Sequence, residues 1–147
     1  MRAEIVTDRT DEAVKVEIHC KDVTSDVRRL KGYIDNYKAG ISASDEESTY
    51  IVALEDVYFI ESVDKKTFVY TKDKVLNTDK RLYELEAVLE DRDFFRCSKS
   101  VIINLGKVVK LKPELTRNIL ATLENGEVVV ISRRYAAQLK KLLEIGA

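Results

Sequence analysis

Three short clusters of cationic and hydroxyl side chains stand out for the chemistry they could share: Lys65-Lys66-Thr67, Arg96-Cys97-Ser98-Lys99-Ser100 and Ser132-Arg133-Arg134. Ammonium and guanidinium groups set beside hydroxyls suit phosphate oxygens and the acceptor edges of bases. Each cluster falls in a predicted turn or at the end of a predicted element, where its side chains stay in reach of a partner. Ser132-Arg133-Arg134 opens a predicted helix, where positive charge opposes the macrodipole. Ser132 as N-cap, free backbone N–H groups and two guanidiniums would together seat a phosphate. The alternative is that both arginines extend into solvent or pair with Glu127 or Asp93. In the middle cluster, Phe94 and Phe95 read as core anchors that hold the polar residues at a fixed surface position. Arg96 reads equally well as a structural ion-pair partner; Lys99, flanked by two serines, is harder to explain as packing.

Other chemistry is poorly supported. The single histidine, His19, lies on the polar phase of a predicted strand with no nucleophile or orienting group near it in sequence, as an exposed surface residue would. There is no G-x-S-x-G, no glycine-rich phosphate loop and no metal-ligand cluster, and the acidic pairs Glu46-Glu47 and Glu90-Asp91 fall at turns or helix ends. Neither enzymatic activity nor a cofactor or metal is expected. Cys20 and Cys97 are too few for a disulfide framework. With 45% hydrophobic and 35% charged residues, no long apolar run and no signal-like N-terminus, a cytoplasmic globular protein is expected.

The net charge of −1 conceals a gradient. Residues 1–50 hold 8 Lys/Arg against 11 Asp/Glu, residues 51–91 hold 6 against 10, and residues 92–147 hold 11 against 5. A polyanion responds to the local field, and the C-terminal third offers a positive one.

The elements that must position these clusters follow from periodicity. Val14, Val16, Ile18 and Cys20 alternate with polar residues, which predicts a strand over 13–20; Val27, Leu30, Ile34 and Tyr37 predict a helix capped by Thr24 and stopped by Gly40. A polar turn at 44–48 precedes strands at 50–54, 57–60 and 67–71. A second helix follows Asn77-Thr78-Asp79, with Leu82, Leu85, Val88 and Leu89 as its buried stripe. Short strands are expected at 101–103 and 107–111, with Pro113 in the turn after them. A hairpin of 118–124 and 127–131 turns on Asn125-Gly126, read as type I′. A last helix carries Tyr135, Leu139, Leu142 and Leu143 and ends at Gly146. The fold class is α+β.

The run Phe94-Phe95-Arg96-Cys97-Ser98-Lys99-Ser100-Val101-Ile102-Ile103-Asn104-Leu105 resembles the signature segment of LytTR domains, the DNA-binding module of many bacterial response regulators. Leu54-Glu55-Asp56-Val57-Tyr58-Phe59-Ile60-Glu61-Ser62 is similar to that family's first strands, and the Asn125-Gly126 hairpin followed by Val130-Ile131-Ser132-Arg133-Arg134-Tyr135 is similar to its ending. The likeness runs from about Ile41 to Ile145 in order and spacing. It implies a predominantly antiparallel β domain over 41–147 with few helices, preceded by a strand–helix segment over 1–40 available for dimerisation or partner binding.

The resemblance further implies a sequence-specific, double-stranded-DNA-binding transcriptional regulator that inserts loops into successive major grooves, acting as a homodimer on paired half-sites. Its contacts carry over to Lys66 and Thr67 with Lys65 beside them, to Ser98 and Lys99 with Arg96 and Ser100, and to Arg133 with Arg134. Asn104 matches a structural position that ties the start of a loop. The N-terminal receiver common in the family has no counterpart in the some 40 residues before the domain, so phosphorylation control is not expected. The compact form is similar to a subgroup in which a small integral-membrane protein accompanies the regulator. The competing reading is a protein–protein interaction or effector-sensing module that keeps the fold and works through its N-terminal helix.

Overall fold

The computed structural model describes residues 1–10, 14–35, 40–89 and 92–143. Ala13, Tyr37, the Glu90-Asp91 pair, Ile145 and the expected stop at Gly146 lie outside the described residues.

Seven short strands form one antiparallel sheet: β1 (Gly40–Ser44), β2 (Thr49–Ala53), β3 (Phe59–Val63), β4 (Lys66–Tyr70), β5 (Val75–Thr78), β6 (Phe94–Arg96) and β7 (Val101–Asn104), in the order β2-β1-β5-β4-β3-β7-β6. A second sheet of β8 (Val108–Pro113), β9 (Ile119–Leu123) and β10 (Val128–Ile131) has β9 at its centre. The helices are α1 (Ser25–Asp35), α2 (Leu82–Val88) and α3 (Arg133–Leu142). The α+β, mostly antiparallel architecture expected from the sequence is the one observed.

Period-two side-chain alternation divides the larger sheet between two cores. Ile60, Val69, Leu76 and Ile102 pack with Leu82, Leu85 and Leu89 of α2 and its flank. Phe59, Val101 and Ile103 belong to the other core, with Ile119, Ala121, Leu123, Val129 and Ile131 of the small sheet and Ala136 and Leu139 of α3. Because β3 and β7 feed alternate residues into both cores, a one-residue slip of either would invert two apolar faces at once. Directly opposed in the β3–β4 register, Phe59 and Tyr70 stack with centroids 4.1 Å apart, which adds to that register's stability.

Several sequence expectations are corrected. Residues 14–20 form no strand: Val14 and Val16 stand exposed, because alternation needs a neighbouring ladder and none is supplied. The helix at 25–35 does form, and the Thr24 hydroxyl accepts from the Val27 N–H at 3.3 Å as a cap should. Gly40, expected as its stop, opens β1, where an added Cβ would meet the Val52 carbonyl at 2.8 Å; residues 36–39 lie outside the described residues. β1, β5 and β6 were hidden by their polar or very short runs. Pro113 closes β8 rather than standing in a turn; β8 is an edge strand, where a missing N–H is tolerated. The Asn125-Gly126 hairpin forms, but of the two residues only Gly126 has positive φ (88°). Gly126 donates to Leu123 O and Leu123 N–H to Glu127 O, the three-residue loop with a left-handed glycine rather than type I′. The paired positive φ values of a two-residue hairpin occur instead at Asp64 (50°) and Lys65 (67°), between β3 and β4.

Asn104 is buried, donates Nδ2–H to Val57 O at 2.8 Å and accepts from Gly106 N–H at 2.9 Å, fastening the end of β7 to the entry of β3. Asn104→Ala should lower unfolding free energy by about 1–3 kcal/mol, since the buried Val57 carbonyl loses its partner; an unchanged urea midpoint would contradict this. Cys97 lies fully buried in the core beneath α3, and burial pushes its thiol up to about 12, whereas Cys20 is exposed. The native protein at pH 8 should therefore release one thiol equivalent to a disulfide reagent and the second only in denaturant. Rapid reaction of both would show that this core opens.

Candidate nucleic-acid interface

The three basic clusters converge at one end of the larger sheet, and the main chain holds them there. β3 and β7 are antiparallel, with Glu61 opposite Val101, so the β3–β4 turn sits beside the 97–100 turn that feeds β7. The Ser62 N–H donates to Ser100 O at 2.8 Å. From the other side, the Ser132 N–H donates to Cys97 O at 2.9 Å, docking the start of α3 against the same turn. Two backbone hydrogen bonds thus join three loops that are distant in sequence.

Within this end, exposure sorts the expected residues. Lys65, Lys66, Lys99, Arg133 and Arg134 are exposed, and none of them makes an ion pair among the described residues. The pairings considered for the two arginines do not occur; Asp93 meets Arg29 instead, at 3.5 Å. The Arg134 guanidinium lies 5.7 Å from the Tyr135 ring centroid, near enough for a cation–π contact that leaves its edge open. Ser98 and Ser100 are half-buried, and the Ser98 hydroxyl accepts from the Ser100 N–H at 3.2 Å, which tightens the turn.

Two expected contacts are placed otherwise. Thr67 is only 3% exposed. The turn at Asp64-Lys65 makes Lys66 the first strand residue, and alternation then sends Lys66 outward and Thr67 inward, opposite Ser62 and Thr78. Arg96 is committed to the protein. Its Nε–H donates to Ser98 O at 2.7 Å, Nη2 donates to Lys99 O, and Nη1 pairs with Glu86 of α2 at 2.6 Å, leaving the side chain 19% exposed. A planar guanidinium presents its donors on three separate nitrogens in a fixed fork, so it can brace two carbonyls and a carboxylate that lie apart, where a lysine offers one nitrogen. Arg96 acts as a strut that shapes the turn presenting Lys99.

The anticipated phosphate seat at the start of α3 is partly closed. Ser132 makes no side-chain cap, and the Arg133 N–H donates to Asn118 Oδ1 at 2.9 Å. Asn118 carries no signal in the sequence, since a contact across fifteen residues leaves no local pattern. It belongs to the β8–β9 connection, whose N–H of Arg117 donates to Glu114 O while Arg117 itself is exposed with φ 71°. A further cation therefore stands next to the α3 start; its left-handed backbone was the signal that sequence could not carry. Among the described residues no group of three His, Cys, Asp or Glu could hold a metal, and no helix is long and apolar enough to cross a membrane.

Residues 47–144 match the family model described as the LytTr DNA-binding domain. The chain is 32% identical over 132 residues to a sensory transduction protein LytT of Bacillus anthracis, covering 90% of this chain and 49% of that protein. It is 26% identical over 101 residues to the transcriptional regulatory protein YpdB of Escherichia coli K12, covering 68% and 41% respectively. The chain thus spans about half the length, or less, of these curated relatives. A solved LytTr DNA-binding domain from Bacillus cereus superposes with a TM-score of 0.69 at 29% identity, covering 72% of this chain and 97% of that one. By its family match, its fold and the order of its elements, this chain belongs to the LytTR DNA-binding domain family.

Proposed function

We propose that this chain regulates transcription in the cytoplasm by binding specific double-stranded DNA through its basic loop end. Lys65 and Lys66, Lys99, and Arg133 with Arg134 enter or flank successive major grooves. The observation that carries this reading is the joining of three loops, whose exposed cations make no ion pair among the described residues, by Ser62–Ser100 and Ser132–Cys97 backbone hydrogen bonds, which makes one rigid cationic end from distant segments. Arginine at position 133 suits bidentate recognition of guanine or phosphate; the lysines suit phosphate and adaptable base contacts. Arg117 joins as a backbone contact from the neighbouring turn. Arg96 and the two serines position Lys99, and Thr67 stays in the sheet.

Two copies on half-sites one helical turn apart, about 34–36 Å, would combine the contacts of both. That homodimer, and a small integral-membrane partner for the N-terminal segment, rest on the family resemblance.

Genomic fragments selected by the purified protein would supply the operator for quantitative binding. Arg133→Ala and Lys99→Ala should each weaken specific binding by roughly 1–3 kcal/mol with unchanged melting temperature. Replacing both without effect would overturn the assignment. Lys65→Ala and Lys66→Ala should each reduce the slope of log affinity against log salt by about 0.9 if the side chain neutralises one phosphate. Thr67→Val should leave affinity unchanged, whereas Arg96→Ala should lower affinity and thermal stability together, as loss of a strut would.

A further inference from the structure

A cavity of about 510 Å³ lies between α2, the edge strand β6 and α3, with α1 closing one side. Its size falls in the range of roughly 300–1,000 Å³ that holds small molecules. Arg29, Arg92 and Arg96 face two carboxylates, Glu86 and Asp93, across an apolar wall that includes Tyr135.

The cations are not evenly satisfied. Glu86 is taken by Arg96 at 2.6 Å. Asp93 meets only the Nε of Arg29, at 3.5 Å, and Asp26 approaches Nη1 at 3.7 Å. Arg29 Nη2 is buried with no hydrogen-bond partner among the described residues, a rare state for a guanidinium nitrogen because its lost hydration is uncompensated. Arg92 is half-buried and makes no ion pair among the described residues; burial lowers its pKa, and the charge of Asp35 offsets only part of that. Both arginines lie outside the basic loop end.

We propose that this cavity binds a small organic anion, a carboxylate or phosphate on a flat apolar body, with Arg29 and Arg92 holding the charge and Tyr135 contacting the body. Such a ligand touches two parts of the reading end. Arg96, which lines the cavity, braces the 97–100 turn, and Tyr135 is in the first turn of the helix that carries Arg133 and Arg134. Occupancy would thus alter DNA affinity and make the domain an effector sensor. This coupling rests on the DNA-binding reading; the binding of the anion does not.

The test titrates the full chain, labelled for amide NMR, with benzoate, phenyl phosphate and the neutral benzyl alcohol. Saturable shifts at Arg92, Phe95 and Tyr135 with either anion and not with the alcohol are expected; which anion binds more tightly distinguishes the two headgroups. Arg92→Gln, and separately Arg29→Gln as a second variant, should weaken the anion by about ten-fold. Arg92→Gln should keep the ligand-free melting temperature and operator affinity. Absence of saturation at any soluble concentration would overturn the proposal. So would shifts confined to Lys65, Lys99 and Arg133, or undiminished binding in both variants. Operator affinity measured on the same ligand-free samples reports on the DNA reading independently, so failure of one is not mistaken for failure of the other.

Discussion

The geometry of the basic end depends on how residues 96–101 are pinned. Cys97 donates its N–H to Val101 O, accepts at its own carbonyl from Ser132 N–H, and buries its thiol in the core under α3. Arg96 holds the turn from the side through the carbonyls of Ser98 and Lys99 while Glu86 anchors its far edge. The loop is thus fixed by its main chain, and its one exposed side chain, Lys99, makes no ion pair among the described residues. Groups that must be exposed for function cannot also contribute much to holding their own position, so buried neighbours do it.

The same division recurs across the site. Asn118 satisfies the first amide of α3, leaving the Arg133 guanidinium available. At the β3–β4 turn, Asp64 and Lys65 accept a left-handed backbone that neither residue prefers, which brings both lysines to the tip while Thr67 fills the sheet interior. Departures from local preference concentrate where the chain presents charge. The two cores on either face of the larger sheet supply the rigidity against which that strain is held.

The N-terminal helix stands in a different relation to the domain. α1 reaches it through polar contacts, Arg29 to Asp93 and the Tyr33 hydroxyl to Glu55 at 3.3 Å, rather than through the main cores. Its flank Val27, Leu30 and Ile34 is half-buried. Such a contact is more easily remodelled than a packed core, because its ionic partners can be rehydrated as they separate. That makes α1 a suitable wall for a cavity whose occupant changes.

Local sequence pattern sets the fold class, the α2 and α3 stripes apart from Val88 and Leu142, which prove exposed, the 118–131 hairpin and the candidate clusters, since each is written in local periodicity, turn chemistry or a contiguous run of motif residues. It located the strands near Tyr50, Val57 and Thr67 to within a few residues. The folded chain decides that 14–20 lacks a ladder, that Gly40 begins a strand, and that Asp64-Lys65 rather than Asn125-Gly126 holds the two-residue turn. It alone separated Lys66 from Thr67, which adjacent positions in a cluster cannot do until strand register is set. It alone turned Arg96 inward, because the carbonyls and the carboxylate that capture it come from a folded turn and another helix. Charge and hydroxyl content are local properties of a chain; which of those groups meets solvent is a property of the pairing between distant segments.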